Sequence, residues 1–308
     1  MPTVRDLRDR IKSLKNTQQI TKAMKQVAAA KIRRAEIAQR QARPYAETMF
    51  AMLHDLMEAA GSIDHPFLRP GNTDARKGII LMTADKGLAG AFNSNIIRAA
   101  QQIEPAVQDI PAREERSPGG LSETLSAVVT RVPRWYAVGI KARNAVRRMP
   151  GELGPDWAFS SGSKLDTARQ VAAKVTDDFV AGEISEIILV QSKLVSTMVQ
   201  RPLSRTLVPI VAEKREQATG PRAQVEFAPS PEDVLKLLLP KYLEFAIFSA
   251  MLETDAAFYA AQLVAMTNAT ENAGKLIDEL TMQMNKARQA AITKELLEIV
   301  SGAEALVG

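Results

Sequence analysis

The segment best equipped for chemistry in this 308-residue chain is Asp85-Lys86-Gly87-Leu88-Ala89-Gly90, a glycine-bearing loop between a β-prone run and a helical one. Backbone amides at such a turn can cradle a phosphate at a helix N-terminus. The loop lacks the Gly-x-Gly-x-x-Gly spacing of dinucleotide sites and any Gly-Lys-Ser/Thr, so a tight strand-to-helix turn is the better reading. Elsewhere the material for catalysis is thin. There is no cysteine, which removes disulfides, thiol nucleophiles and thiolate zinc sites. The two histidines, His54 and His65, lie in no His-Glu-x-x-His pattern, and no Gly-x-Ser-x-Gly elbow occurs. The residues predict a chain that performs no bond chemistry by itself and holds no metal or cofactor.

Charge is the next candidate for function. The chain carries a formal +5, but residues 1–43 hold twelve basic against three acidic side chains, so this segment alone is +9 and the remainder is −4. A uniformly basic nucleic-acid coat is thereby excluded. A basic coiled-coil protein that uses its first helix on nucleic acid is the alternative, against an acidic protein partner facing that helix. No run of about 18 apolar residues occurs, and no apolar stretch follows the first charges. The expectation is a cytosolic chain whose contact with a membrane comes only through partners, with no direct insertion.

The elements that must position these groups fall into three parts, and 46% apolar residues suffice for a proper core. From Thr3 to Arg43 there is neither Gly nor Pro, and apolar residues at Val4, Leu7, Ile11 and Leu14, then Ile20, Met24 and Val27, predict a helix with one narrow seam that shifts around the helix at Gln18 and Thr21. Pro44 should kink or restart it, and Gly61 should end it. From Phe245 to Ala291 a small-residue seam alternates by four and three, and a helix from about Pro231 to Gly302 would be about 105 Å long. Two such helices are each other's natural partners. Registered at their inner ends, the second would outrun the first by roughly fifteen residues, about 22 Å. Between them, β-prone runs at 77–83, 135–140, 186–190 and 203–211 alternate with helical patterns at 95–103, 141–148 and 164–181. That alternation predicts a βαβ domain with a mainly parallel sheet. Pro105 to Pro133, rich in Pro and Gly, reads as a surface excursion. The predicted class is α plus α/β: an antiparallel coiled coil of residues 1–60 and 230–308 with a central Rossmann-like βαβ domain at 75–212, the excursion falling at about 105–133.

Several stretches then point to a family. Asn16-Thr17-Gln18-Gln19-Ile20-Thr21-Lys22-Ala23-Met24, Thr83-Ala84-Asp85-Lys86-Gly87-Leu88-Ala89-Gly90, Ser196-Thr197-Met198, and Asn285-Lys286-Ala287-Arg288-Gln289-Ala290-Ala291-Ile292-Thr293 resemble the gamma subunits of bacterial F-type ATP synthases, in order along the whole chain. The resemblance implies a non-catalytic rotor in the central stalk. Proton flow would turn a c-ring on which the globular domain stands, with epsilon alongside, and the coiled coil would turn inside a ring of three alpha and three beta subunits. It implies a peripheral place on the cytoplasmic face of the bacterial inner membrane. By similarity, Met24, Lys25, Arg288, Gln289 and Thr293 would meet beta. Leu296, Leu297, Ile299 and Val300 would form an apolar bearing tip, and Val225, Glu226 and Phe227 would lie in the foot near the c-ring and epsilon. Gln262 stands where many relatives carry arginine.

Overall fold

The computed structural model describes residues 3–59, 65–69, 71–72, 74–103, 106–109, 128–160, 162–210 and 230–307. It divides into two compact units, one of residues 1–30 with 262–308 and one of residues 31–261. The division falls inside the two longest helices, α1 (Val4–Ala59) and α5 (Pro231–Val307).

In the first unit the segments of α1 and α5 pair antiparallel. The Thr270 hydroxyl donates to the Thr21 hydroxyl at 2.8 Å, and Gln18 Nε2 donates to the Thr270 carbonyl at 3.4 Å. A Cβ at Gly274 would meet Gln18 Nε2 at 3.1 Å, so glycine leaves room for that side chain. On α1 the buried and half-buried positions run Leu7, Ile11, Leu14, Gln18, Thr21, Met24 and Ala28. Leu7, Ile11, Leu14, Gln18, Thr21 and Ala28 hold one heptad phase, which corrects the expected shift of the seam at Gln18 and Thr21. These two polar residues belong to the seam, while Ile20 and Val27 are 60% and 54% exposed. The expectation followed hydrophobicity; the helix followed geometry, because Gln18 and Thr21 find partners across the pair.

The second unit is an α/β domain together with the inner segments of α1 and α5. Its main sheet has the order β5-β4-β1-β6-β7, formed by β1 (Arg76–Met82), β4 (Arg134–Val138), β5 (Glu152–Trp157), β6 (Ile184–Leu194) and β7 (Gln200–Val208). The first four strands are parallel and β7 is antiparallel to β6. Alternation on the strands feeds two cores. Ile80, Met82, Tyr136 and Val138 pack with α4 (Lys164–Val180) and with Leu239, Leu243 and Ile247 of α5. Ile79, Leu81, Trp135 and Ala137 pack with α2 (Phe92–Gln101), α3 (Ile140–Val146) and Phe258 of α5.

One local expectation is corrected, and two features add to the sequence reading. Pro44 lies inside one uninterrupted α1 rather than at a restart. Ala46, Met49, Leu53 and Leu56 are buried on that stretch, and such burial offsets the ~3 kcal/mol that an internal proline costs. The Pro105 to Pro133 excursion contains a two-stranded antiparallel ribbon, β2 (Ala106–Asp109) with β3 (Val128–Arg131). Edge strand β5 falls where the sequence reading named no element; Pro155 is tolerated there because an edge strand has one row of unpaired groups.

Candidate functional site

The loop singled out for phosphate is committed elsewhere. Asp85 accepts hydrogen bonds from the amides of Ile140 (2.9 Å), Phe159 (3.0 Å) and Ser160 (2.7 Å). Burial alone would raise its pKa, but these donors outweigh burial and hold the carboxyl below the usual carboxylate range. Asn93 closes the loop, accepting from the Ala84 amide and donating to the Lys86 carbonyl. The carboxylate of the loop is thus spent on tying it to the start of α3 and to the segment after β5.

The second place to look is the carboxyl edge of the parallel sheet, where α/β folds bind ligands at the point of strand-order reversal. Here that point lies between β1 and β6. α5 fills it: the Thr254 hydroxyl contacts Met82 Sδ at 3.5 Å, and Gln191 Nε2 donates to Glu253 at 3.0 Å. Among the described residues no group of three or more His, Asp or Glu side chains is arranged for a metal.

What remains is the helical pair of the first unit. With Thr21 opposite Thr270, Val4 falls opposite about residue 287. Burial ends there too, since Ala287 is half-buried and every residue from 288 to 302 is exposed. α5 thus runs about twenty residues, roughly 30 Å, beyond α1. The expected overhang of fifteen residues is corrected, because α5 continues to Val307 rather than stopping near Gly302. A glycine costs only about 1 kcal/mol in a helix interior.

The overhang carries most of the candidate contact residues. Arg288, Gln289 and Thr293 are exposed, with Gln289 and Thr293 on one face by their i, i+4 spacing. Leu296, Leu297, Ile299 and Val300 are 57%, 64%, 68% and 59% exposed. With Ile292 they give apolar positions at i, i+4 and i+7, an amphipathic strip on which nothing packs among the described residues. Met24 is half-buried in the seam and Lys25 is exposed beside it. Met24 sits opposite about residue 267, so roughly 30 Å of helix separates it from Arg288, and the structure does not bring these two groups together. Val225, Glu226 and Phe227 lie outside the described residues.

Comparison with known proteins decides among readings of this arrangement. The family model described as ATP synthase matches residues 3–306. A protein named ATP synthase gamma chain from Desulforamulus reducens is 42% identical over 307 residues, covering 99% of this chain and all of that protein. The chain belongs to the ATP synthase gamma chain family. The fold agrees: a chain from the Euglena gracilis mitochondrial ATP synthase, in a structure of OSCP, F1 and c-ring, superposes with a TM-score of 0.63 at 18% identity, covering 98% of this chain and 94% of that one. A chain of the Tetrahymena thermophila mitochondrial ATP synthase, in a structure of central stalk and c-ring, gives 0.54 at 21% identity, with coverages of 81% and 99%. The nucleic-acid alternative finds no support in these matches. Among the described residues no helix is long and apolar enough to cross a membrane.

Sequence reasoning missed the polar layer of Gln18, Thr21 and Thr270 and the groups that tie α5 to the sheet. A signal for the first existed: positions 7, 11, 14, 18, 21 and 28 keep heptad spacing straight through the polar pair.

Proposed function

We propose that the chain is the non-catalytic central-stalk rotor of a proton-translocating ATP synthase, at the cytoplasmic face of a bacterial inner membrane. Residues 1–60 and 230–308 form the shaft and residues 75–212 the foot. Proton-driven rotation of a c-ring turns the foot, with epsilon beside it, and the shaft drives the catalytic sites of an alpha3beta3 ring. Val225, Glu226 and Phe227 are assigned to the foot near the c-ring and epsilon.

The observation that carries this reading is the single-helix overhang with its exposed apolar strip, in a chain of this family. An apolar strip left in water is a liability, whereas one seated in an apolar sleeve made by partners is a bearing. Exposed polar contacts are each worth ~0.2 to 1 kcal/mol, so Lys25, Arg288, Gln289 and Thr293 can meet successive beta subunits without locking rotation, with Met24 offering the edge of an apolar side chain half-buried in the seam. The test is co-expression with the cognate alpha and beta subunits. An ATP-hydrolysing complex that depends on this chain is expected; an active complex assembled equally well without it would overturn the proposal.

A further inference from the structure

Three consecutive residues of α5 are held by three different elements of the α/β domain. Glu253 accepts from Gln191 Nε2 of β6 at 3.0 Å, with Lys193 and Arg205 of the β6 and β7 strands nearby. Thr254 is fully buried and its hydroxyl rests on Met82 Sδ at the end of β1. Asp255 pairs with Lys164 Nζ at the start of α4 at 3.1 Å, both side chains being mostly buried. Nearer the start of α5, Arg205 Nη2 donates to the Ala246 carbonyl at 3.3 Å and Arg169 approaches Glu244 at 3.7 Å.

Successive helix residues project about 100° apart, so Glu253 and Asp255 leave the axis about 200° apart with Thr254 between them. The side chains of α5 that interdigitate in both cores already oppose rotation about the helix axis. Directed bonds on both flanks and one beneath add stiffness at fixed angles. Turning α5 either way about its axis stretches the Glu253 grip or the Asp255 grip, and Thr254 is driven into β1. Glu253 is held on one flank at the cost of its burial, which pushes its carboxyl up from the ordinary range even with Lys193, Arg205, Gln191 and Leu194 opposing.

We infer that Glu253, Thr254 and Asp255 form a torsional clamp, gripped by Gln191, Met82 and Lys164, through which the α/β domain and α5 turn as one body. The inference rests on the rotor reading and names the positioning residues by which torque passes between the domain and the helix. The clamp residues touch no partner in this scheme; they act through the stiffness of α5.

The test uses the assembled complex of this chain with its alpha and beta subunits, immobilised by the ring. Because the chain has no cysteine, Met198→Cys at an exposed position of the α/β domain gives an attachment point for a probe rod that is unique within this chain, used with alpha and beta subunits cleared of reactive cysteines. Thermal angular fluctuation of the rod is recorded while rotation is paused. With Glu253→Ala and Asp255→Ala together, the angular variance should rise about twofold, two of the three grips being gone, while the rate of ATP hydrolysis without load stays unchanged. Glu253→Gln keeps an amide partner for Gln191 and should preserve the native variance. The paired swap Lys164→Asp with Asp255→Lys should lower the variance relative to Asp255→Ala. If the double variant does not assemble, Asp255→Asn alone reads the same quantity with a smaller rise. Unchanged variance in the alanine variants overturns the clamp; absence of rotation with the unaltered clamp residues overturns the rotor reading instead.

Discussion

The carboxylate of Asp85 offers a quantitative test of the claim that the glycine loop is a closed structural turn. In Asp85→Asn one oxygen can still accept from Ile140 and Phe159, but the new amide faces the Ser160 amide donor to donor. The 2.7 Å bond to Ser160 is lost, at about 1.5 to 3 kcal/mol for a bond to a charged group. The two surviving bonds fall from charge-assisted to neutral strength, roughly half. Since water reaches the Ile140 and Ser160 bonds, the total comes to about 2 to 4 kcal/mol. Urea unfolding of the chain, followed by the fluorescence of Trp135 and Trp157 in β4 and β5, measures it at the right place, because the Trp157 carbonyl accepts from the Gly139 amide next to this turn. The dependence on pH has a definite sign. Asp85 has its folded pKa held below its ordinary value of 3.8, so its contribution is full above that value and is lost as pH falls through the depressed one. The gap between native and Asp85→Asn chains should be constant from pH 7 to pH 5 and close only in acid. A loss under about 0.5 kcal/mol at pH 7, or a gap that widens in acid, would refute the reasoning.

Further outcomes follow from the first unit. Thr21→Val with Thr270→Val replaces a hydrogen-bonded pair by apolar groups of the same shape, so thermal stability should hold or rise, while cross-linking between cysteines placed along α1 and α5 should show more than one register. A single product would show that the polar layer does not set register. Leu296→Ser with Ile299→Ser should leave the stability of the free chain within about 0.5 kcal/mol, because both residues are exposed, yet weaken assembly with alpha and beta. Equal assembly would remove the bearing role. Arg288→Ala with Gln289→Ala should change assembly or turnover by a few-fold, in keeping with contacts of ~0.2 to 1 kcal/mol each, and unchanged values would show these positions to be ordinary solvated helix surface.

Much of this fold was legible because its signals are periodic. Four of the five strands of the main sheet, α2, α3 and α4 follow directly from apolar runs and helical spacing, as does the pairing of the first and last helices. The misses share a physical cause. β5 was hidden because an edge strand need not look β-prone, and the seam through Gln18 and Thr21 because polarity was taken for solvent exposure when the partner, Thr270, lies 249 residues away. Pro44 was overweighted because the burial that holds α1 together around it cannot be seen locally. The ties on Glu253 and Asp255 come from β6 and α4, and nothing in the helix itself distinguishes these acids from solvated ones.

That separation of 249 residues between Thr21 and Thr270 also sets a schedule. At about 5 to 20 residues per second of synthesis, the first thirty residues wait roughly ten to fifty seconds before their partner strand of helix is made. Closing so long a loop adds little free energy beyond a shorter one, because the entropy grows only with the logarithm of its length, so the delay is a matter of time rather than of final stability. During that wait the segment must neither fold on itself nor stick to others. A sparse seam of Leu7, Ile11 and Ala28, diluted by Gln18 and Thr21 and surrounded by like charges, suits a helix that is made long before its partner.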